Sequence, residues 1–135
     1  IKSSLNNSIA ETLYIPLLMK SRQTNAKNAF FKDTKAGEIL GKIDYDFSNF
    51  GKSTLSSLSV AIRAKYFDDL TRHFITTNKN PIVVNIGCRL DTRYDRVGKE
   101  SAQAIWYELD LPEVIKLREQ LIAKPANSNY LPYSM

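Results

Sequence analysis

Gly87 and Asp110 are the two residues whose types and spacing point most directly to chemistry. Gly87 follows an apolar run at 82–86, and a glycine there permits a tight turn that a ligand can approach closely. Asp110 follows a second apolar run, and its carboxylate can accept hydrogen bonds from both hydroxyls of a ribose. The spacing of about 20 residues is typical of an acid that binds the ribose of a nucleotide-like cofactor.

This pattern leaves several interpretations open. An ordinary βαβ crossover can also contain a turn glycine, with Asp110 capping a helix that begins at Pro112. A dinucleotide site requires G-x-G-x-x-G, and residues 87–92 (GCRLDT) lack its second and third glycines. S-adenosylmethionine needs only the turn and the acid, because it has no phosphate to bind.

Two strands and a short helix must position the glycine and the acid. Pro81 suits the first residue of a strand at 82–86, whose β-branched residues predict burial on both faces. A short helix fits between Leu90 and Gly98, and residues 104–109 predict the second strand. Pro112 begins a further helix, and residues 129–133 predict a third strand. The predicted buried face of that helix consists of Val114, Ile115, Leu117, Leu121 and Ile122.

The region before these strands is predicted to be helical. Residues 8–22 have helical spacing and residues 21–27 suggest a loop, after which Asp33 can cap a helix ending near Gly41. A long helix follows, capped by Ser53 or Thr54 and ending near 76–78. Its apolar residues recur every three or four positions: Leu55, Leu58, Ile62, Tyr66, Leu70 and Phe74. The predicted fold class is α/β, with a helical cap at 1–80 and a doubly wound sheet beginning at 81–135.

Composition narrows the class of protein. The length of 135 residues, with 43% hydrophobic and 24% charged residues, is typical of one globular domain. No apolar run is long enough to predict a membrane-spanning helix. The net charge of +5 is spread along the chain, which argues against a nucleic-acid partner. The single cysteine, Cys88, fits a reducing and therefore cytoplasmic location, and no spacing of ligands predicts a metal site.

Two motifs resemble the leucine carboxyl methyltransferase-like family, which includes bacterial O-methyltransferases associated with polyketide synthesis. They are residues 87–93 (GCRLDTR) and 106–115 (WYELDLPEVI). Upstream motifs extend the resemblance over most of the chain: FKD at 31–33 with Ala36, DYDF at 44–47 and IRAKYFD at 62–68. The resemblance implies a class I (Rossmann-like) methyltransferase with an N-terminal helical cap. It also implies S-adenosylmethionine as cofactor and methyl transfer to a hydroxyl or carboxylate oxygen of a small molecule.

The resemblance also suggests which residues bind the cofactor: Gly87, Cys88, Leu109, Asp110, Arg63 and Arg22. An arginine at the family position of Arg63 holds the methionine carboxylate, and a planar guanidinium matches a carboxylate with two hydrogen bonds. Arg22 corresponds to a basic residue near the same carboxylate, although Lys20 is an alternative. Both arginines could instead be solvated surface charges. Cys88 is interpreted as a small residue in a tight turn, and no catalytic residue is named.

One position departs from the family pattern. The family usually has glycine where this chain has Arg89, and a side chain there disfavours a positive φ angle. We therefore expect either an outward-pointing Arg89 side chain or weakened cofactor binding. The nearby Asp91 and Arg93 are predicted to form an ion pair that holds the loop, with direct ligand contact as the alternative.

The family's sheet is larger than the three strands predicted here. The resemblance therefore implies the N-terminal half of an enzyme. A C-terminal half or a second copy of the chain would complete the sheet, and the isolated chain would transfer little methyl. Two other functions remain alternatives, namely half of a dinucleotide-binding oxidoreductase and a catalytically inactive binding or assembly module.

Overall fold

The computed structural model describes residues 7–51 and 53–135. These residues divide into two compact units, one up to Lys65 and the other from Tyr66 to Met135. The first contains α1 (Asn7–Thr24), α2 (Thr34–Lys42) and the beginning of α3 (Thr54–Thr77). The second contains the end of α3 and a parallel sheet with its helices. Helices followed by a parallel sheet confirm the predicted α/β fold class, whereas the domain boundary at residue 80 stays a prediction.

The first unit packs α1 against α2 and an aromatic cluster. Asp33 caps α2 as predicted, because its Oδ1 accepts the N–H of Ala36 at 3.0 Å. The ring of Tyr14 on α1 contacts Tyr45 at 5.3 Å between centroids, and Phe47 and Phe50 complete the cluster. A short 3-10 helix, Phe47–Asn49, carries one of these rings.

The end of α1 differs from the prediction. The helix continues to Thr24, so the loop predicted at 21–27 is wrong over its first four residues. Packing explains this extension, because Lys20 and Gln23 are both buried although their side chains are polar. Their burial fixes the last turn of α1 against its neighbours, and tertiary packing commonly overrides a local polar signal.

Helix α3 begins and ends as predicted, but its apolar stripe is exposed. Oγ of Ser53 accepts the N–H of Ser56 at 3.2 Å, which makes Ser53 the N-cap. Leu55 is 77% exposed and Tyr66 61% exposed, and the other residues of the stripe from Ile62 to Phe74 are exposed as well. The buried side of the helix carries different residues: Ser57, Ala61, Ala64, Asp68 and Ile75. Small side chains on this side allow close packing, as where Phe31 contacts Ala61 and Ala64.

The second unit is built on three parallel strands in the order β1-β2-β3. These are β1 (Ile82–Ile86), β2 (Ile105–Asp110) and β3 (Tyr130–Ser134). The register pairs Val83 with Trp106 and Trp106 with Tyr130. A short helix α4 (Arg93–Val97) and a 3-10 helix (Gly98–Gln103) connect β1 to β2, and α5 (Pro112–Leu121) connects β2 to β3. The predicted third strand and the predicted buried face of α5 are therefore confirmed.

The two faces of this sheet differ strongly in burial. We call one the covered face, because the core packs on it: Val83, Asn85, Trp106, Glu108, Asp110, Tyr130 and Pro132. The opposite side is the open face, and its residues are Ile82, Val84, Ile86, Ile105, Tyr107, Leu109, Leu131 and Tyr133. Ile82 is 53% exposed and Ile86 is 71% exposed. The prediction that β1 is covered on both faces is thus wrong for the described residues, whose core contacts involve one face.

Candidate functional site

The turn after β1 brings the predicted glycine beside the end of β2. The carbonyl of Leu109 accepts the N–H groups of Gly87 and Cys88, at 2.8 and 3.2 Å. Gly87 has a φ of +64°, which glycine adopts without steric cost. A Cβ built on Gly87 would meet no atom within 4 Å. The open space beside this backbone is therefore suited to the close approach of a ligand.

Asp110 lies in the same turn and holds the loop that follows Gly87. Its Oδ2 accepts the N–H of Arg89 at 2.7 Å, and its Oδ1 accepts the N–H of Leu111 at 2.8 Å. The cap residue of α5 is Leu111, which makes no side-chain capping bond, so the alternative that Asp110 caps this helix is wrong. An ionised carboxylate offers about four acceptor sites, so the two bonds leave capacity for hydroxyl donors.

Arg89 adopts the backbone conformation that the family pattern would assign to glycine. Its φ is +48° and its side chain is exposed, which agrees with the first of the two predicted outcomes. Its carbonyl accepts a hydrogen bond from Nη1 of Arg118 at 2.9 Å. The loop therefore tolerates a side chain at this position by directing it toward solvent.

Four charged residues join the end of α3 to the loop and to α4. Arg93 lies 3.7 Å from Asp91, so the predicted pair is present, but Asp68 makes the closer contacts. Oδ2 of Asp68 accepts from Nε of Arg96 at 2.6 Å, and Oδ1 accepts from Nε of Arg93 at 3.1 Å. Nη1 of Arg96 also donates to Asp91 at 2.8 Å. Burial lowers the pKa of Arg96, but Asp91 and Asp68 outweigh it, and the net pKa is raised. Sequence reasoning missed the role of Asp68, which lies within the IRAKYFD motif.

A second buried network lies beneath the loop on the covered face. Glu108 accepts hydrogen bonds from Nε1 of Trp106 and Nδ2 of Asn85, both at 2.8 Å. Nη2 of Arg118 lies 3.5 Å from Glu108 and donates to Oη of Tyr130 at 3.1 Å. Burial raises the pKa of Glu108 above its ordinary value, although Arg118 opposes this. Sequence reasoning missed Arg118, whose spacing from Val114, Leu117 and Leu121 places it on the buried side of α5.

Cys88 is buried in the turn. Its side chain is 1% exposed, and burial raises the pKa of its thiol to about 12. Nucleophilic reactivity of cysteine requires the thiolate, so a neutral buried thiol fits a small packing residue. The role of Cys88 in cofactor binding stays a prediction.

The two arginines predicted to bind the methionine carboxylate belong to the first compact unit. Nη1 of Arg22 donates to the carbonyl of Gly51 at 2.7 Å, and the alternative residue, Lys20, is 7% exposed. Arg63 is exposed on α3. Four of the predicted residues thus meet in one turn, namely Gly87, Cys88, Leu109 and Asp110. The roles of Arg22 and Arg63 stay predictions.

Within residues 7–51 and 53–135, no group of three or more histidine, cysteine, aspartate or glutamate residues could hold a metal ion. No helix in the described part of the chain has both the length and the apolar character needed to cross a bilayer.

Comparisons with known proteins agree with the motifs. The model of the leucine carboxyl methyltransferase family matches residues 7–130. The tetracenomycin polyketide synthesis O-methyltransferase TcmP of Streptomyces glaucescens is 30% identical over 113 residues, covering 84% of this chain and 42% of that protein. The S-adenosyl-L-methionine-dependent methyltransferase dpfgK of Gibberella zeae is 27% identical over 124 residues, covering 86% and 42%. The chain thus spans about two fifths of the length of these relatives. No solved structure matches it significantly.

Proposed function

Because the chain belongs to the leucine carboxyl methyltransferase family, we propose that it binds S-adenosylmethionine and forms the cofactor-binding part of an O-methyltransferase. The family consists of class I methyltransferases, and the parallel sheet that follows the helices agrees with part of that fold. The observation that carries the proposal is the 2.7 Å bond from the Arg89 N–H to Asp110, which holds this acid, the proposed ribose-binding residue, beside the Gly87 turn.

The residues of the turn fit the chemistry of this cofactor. The free acceptor capacity of Asp110 suits ribose hydroxyls, and the open space at Gly87 suits a group that lies against the backbone. The absence of a second and third glycine agrees with a cofactor that has no phosphate. Arg63, with Arg22 or Lys20, is proposed to bind the methionine carboxylate. When bound, S-adenosylmethionine supplies a methyl group on a positively charged sulfur.

The proposed reaction is methyl transfer to an oxygen of a small molecule. Support comes from TcmP, whose name describes an O-methyltransferase of polyketide synthesis. The chain's own residues would bind and orient the cofactor, and alignment of two reacting groups is itself a large contribution to rate. The acceptor is proposed to carry a hydroxyl or a carboxylate.

The open face and the outer edge of β1 are proposed to be completed by further structure. Exposed apolar residues on a strand edge invite pairing with another chain, and Ile86 is 71% exposed there. A C-terminal half or a second copy of the chain would supply the missing cover. Light scattering and a methyl-transfer assay on residues 1–135 alone test this. We expect self-association and little turnover, whereas an active, stable monomer would contradict the proposal.

Titration calorimetry tests cofactor binding directly. In the protein with the proposed completing structure present, called the intact protein below, Asp110→Ala should weaken the affinity for S-adenosylmethionine at least about tenfold, because it removes charge-assisted hydrogen bonds. Glu113→Ala is the matched control, since Glu113 is exposed in the first turn of α5. An unchanged dissociation constant in a folded Asp110→Ala protein would refute the assignment. Binding of NAD instead would favour the oxidoreductase alternative, and binding of neither would favour an inactive module.

A further inference from the structure

The backbone of Arg89 is held on both sides by other residues. Its N–H donates to Asp110 at 2.7 Å, and its carbonyl accepts from Nη1 of Arg118 at 2.9 Å. With a φ of +48°, this arginine adopts a conformation that a side chain disfavours. Such a conformation persists only where the surroundings fix it, and these two bonds do so.

Arg118 directs its best hydrogen bonds to the loop rather than to its acidic neighbour. The same Nη1 also donates to the carbonyl of Asp91 at 2.7 Å, so one nitrogen joins the carbonyls on both sides of Leu90. Nη2 donates to Tyr130, whereas Glu108 lies 3.5 Å from it, beyond the usual hydrogen-bond range. Glu108 thus mainly balances the charge of the buried guanidinium, and the guanidinium holds the loop.

A purely stabilising role does not explain this arrangement well. Arg118 is 4% exposed and Glu108 is fully buried, and such pairs contribute little net stability compared with apolar residues. A lysine could balance the charge of Glu108, but its donors share one flexibly held nitrogen, whereas the rigid guanidinium directs one nitrogen at two carbonyls and the other at a hydroxyl. The geometry therefore indicates that the position of the loop is what Arg118 provides.

We propose that Arg118 is a positioning residue for S-adenosylmethionine: it holds the carbonyls of Arg89 and Asp91 so that the turn and Asp110 keep their binding geometry. This inference rests on the proposed function. It concerns a residue of α5 that has no place in the cofactor contacts proposed above. The proposal requires that Arg118 maintains the positive φ of Arg89, and this requirement can be tested with and without the cofactor.

The first test combines two substitutions in the intact protein. Arg118→Lys keeps a positive charge opposite Glu108 but loses the planar fork, and we expect its dissociation constant for S-adenosylmethionine to rise about tenfold. In an Arg89→Gly background, the same substitution should raise it less than about threefold, because glycine adopts a positive φ without help. Lys116→Met, on the exposed side of α5, is the control and should change neither value. Equal losses in both backgrounds would refute the proposal, because independent effects add.

The second test needs no cofactor. Arg118→Lys should speed amide hydrogen exchange at Arg89 about tenfold, whereas the amide of Leu111, held by the other oxygen of Asp110, should be unchanged. Equal acceleration at both amides would mean general destabilisation and would overturn the proposal, as would no change at Arg89. If the parent protein binds no S-adenosylmethionine, the proposed function fails and exchange alone decides the role of Arg118.

A milder variant covers the case in which Arg118→Lys does not fold. Tyr130→Phe removes one acceptor of the guanidinium and leaves all charges in place. It should produce the same pattern with smaller changes, about threefold in exchange at Arg89 and none at Leu111. Unchanged exchange at Arg89 in this variant would then count against the proposal.

Discussion

The two faces of the sheet have the same backbone but different surroundings. On the covered face, Trp106 is fully buried and Glu108 has hydrogen-bond donors from two strands. On the open face, Ile82, Val84 and Ile86 are about half exposed or more. Among the described residues, no buried side-chain nitrogen or oxygen lacks a hydrogen-bond partner. The comparison indicates that the contacts fixing the core of the second unit lie on the covered face.

The largest expected contrast is between a buried residue of the covered face and an exposed residue of the open face. In the chain of residues 1–135, Trp106→Ala should lower the free energy of unfolding by about 3–5 kcal/mol, because it leaves a cavity. At concentrations low enough to keep the chain monomeric, Ile86→Ala should change it by about 0.5 kcal/mol or less, as is usual for exposed positions. Urea denaturation measures both values. Similar losses for the two variants would remove the distinction between the faces.

The same substitution also sharpens the comparison in the intact protein. If further structure covers the open face, Ile86→Ala should lower the free energy of unfolding of the intact protein by about 2–5 kcal/mol, as for a buried aliphatic residue. A cost that stays near zero in the intact protein would mean that the open face remains exposed to solvent.

Asp68 and Asp69 are adjacent acids on α3, and they differ in burial as the two faces of the sheet do. Asp68→Asn should destabilise the chain by about 1.5–3 kcal/mol, because the buried Arg96 loses a charge-assisted contact and keeps only Asp91 as an ionic partner. Asp69→Asn removes an exposed pair with Arg72 and should cost about 0–1 kcal/mol. Both values come from denaturation at neutral pH. Equal losses in the free energy of unfolding would mean that burial does not strengthen the ionic contacts of Asp68.

The charge of Glu108 should make the covered face sensitive to pH. Burial raises the pKa of this carboxyl, so the folded protein keeps the proton where the unfolded chain releases it. Its contribution to stability is therefore fully present below about pH 4.3 and is lost as the pH rises through the raised pKa. Across that window, the unfolding free energy of the parent should fall relative to that of Glu108→Gln. A difference that is constant or grows with pH would contradict the raised pKa.

The smallest expected signal comes from Cys88. Because its thiol is buried and its pKa is about 12, a thiol reagent at pH 8 should label the native protein far more slowly than the protein in denaturant. Absorbance of the released chromophore follows the reaction. Equal rates in the two conditions would show that the turn opens readily.

Local signals in the sequence were sufficient to predict where the helices begin, but not which faces of the helices and strands are buried. Asp33, Ser53 and Pro112 mark helix starts, and the structure has each of them at the predicted end. The burial of β1 and of the apolar stripe on α3 was not predictable, because burial depends on which neighbours are present. An apolar strand has the same sequence whether one face or both are covered.

The candidate site was predictable only in part, for a related reason. Gly87 and Asp110 follow from the βαβ pattern, because both stand at strand ends. Asp68 and Arg118 lie far from the turn in sequence, so spacing alone does not show which residues of the loop and of α4 they contact. Their partners are known only when the helices are packed against the loop.

The burial of Trp106 gives the covered face an optical signal. It is the one tryptophan in the sequence, and its indole N–H bonds to Glu108, within the network that reaches Arg118. The ring of Tyr94 lies edge-on at 5.3 Å, close enough for efficient transfer of excitation energy from tyrosine to tryptophan. Tryptophan emission is therefore a local probe of the packing beneath the loop at residues 87–91, and it requires no label.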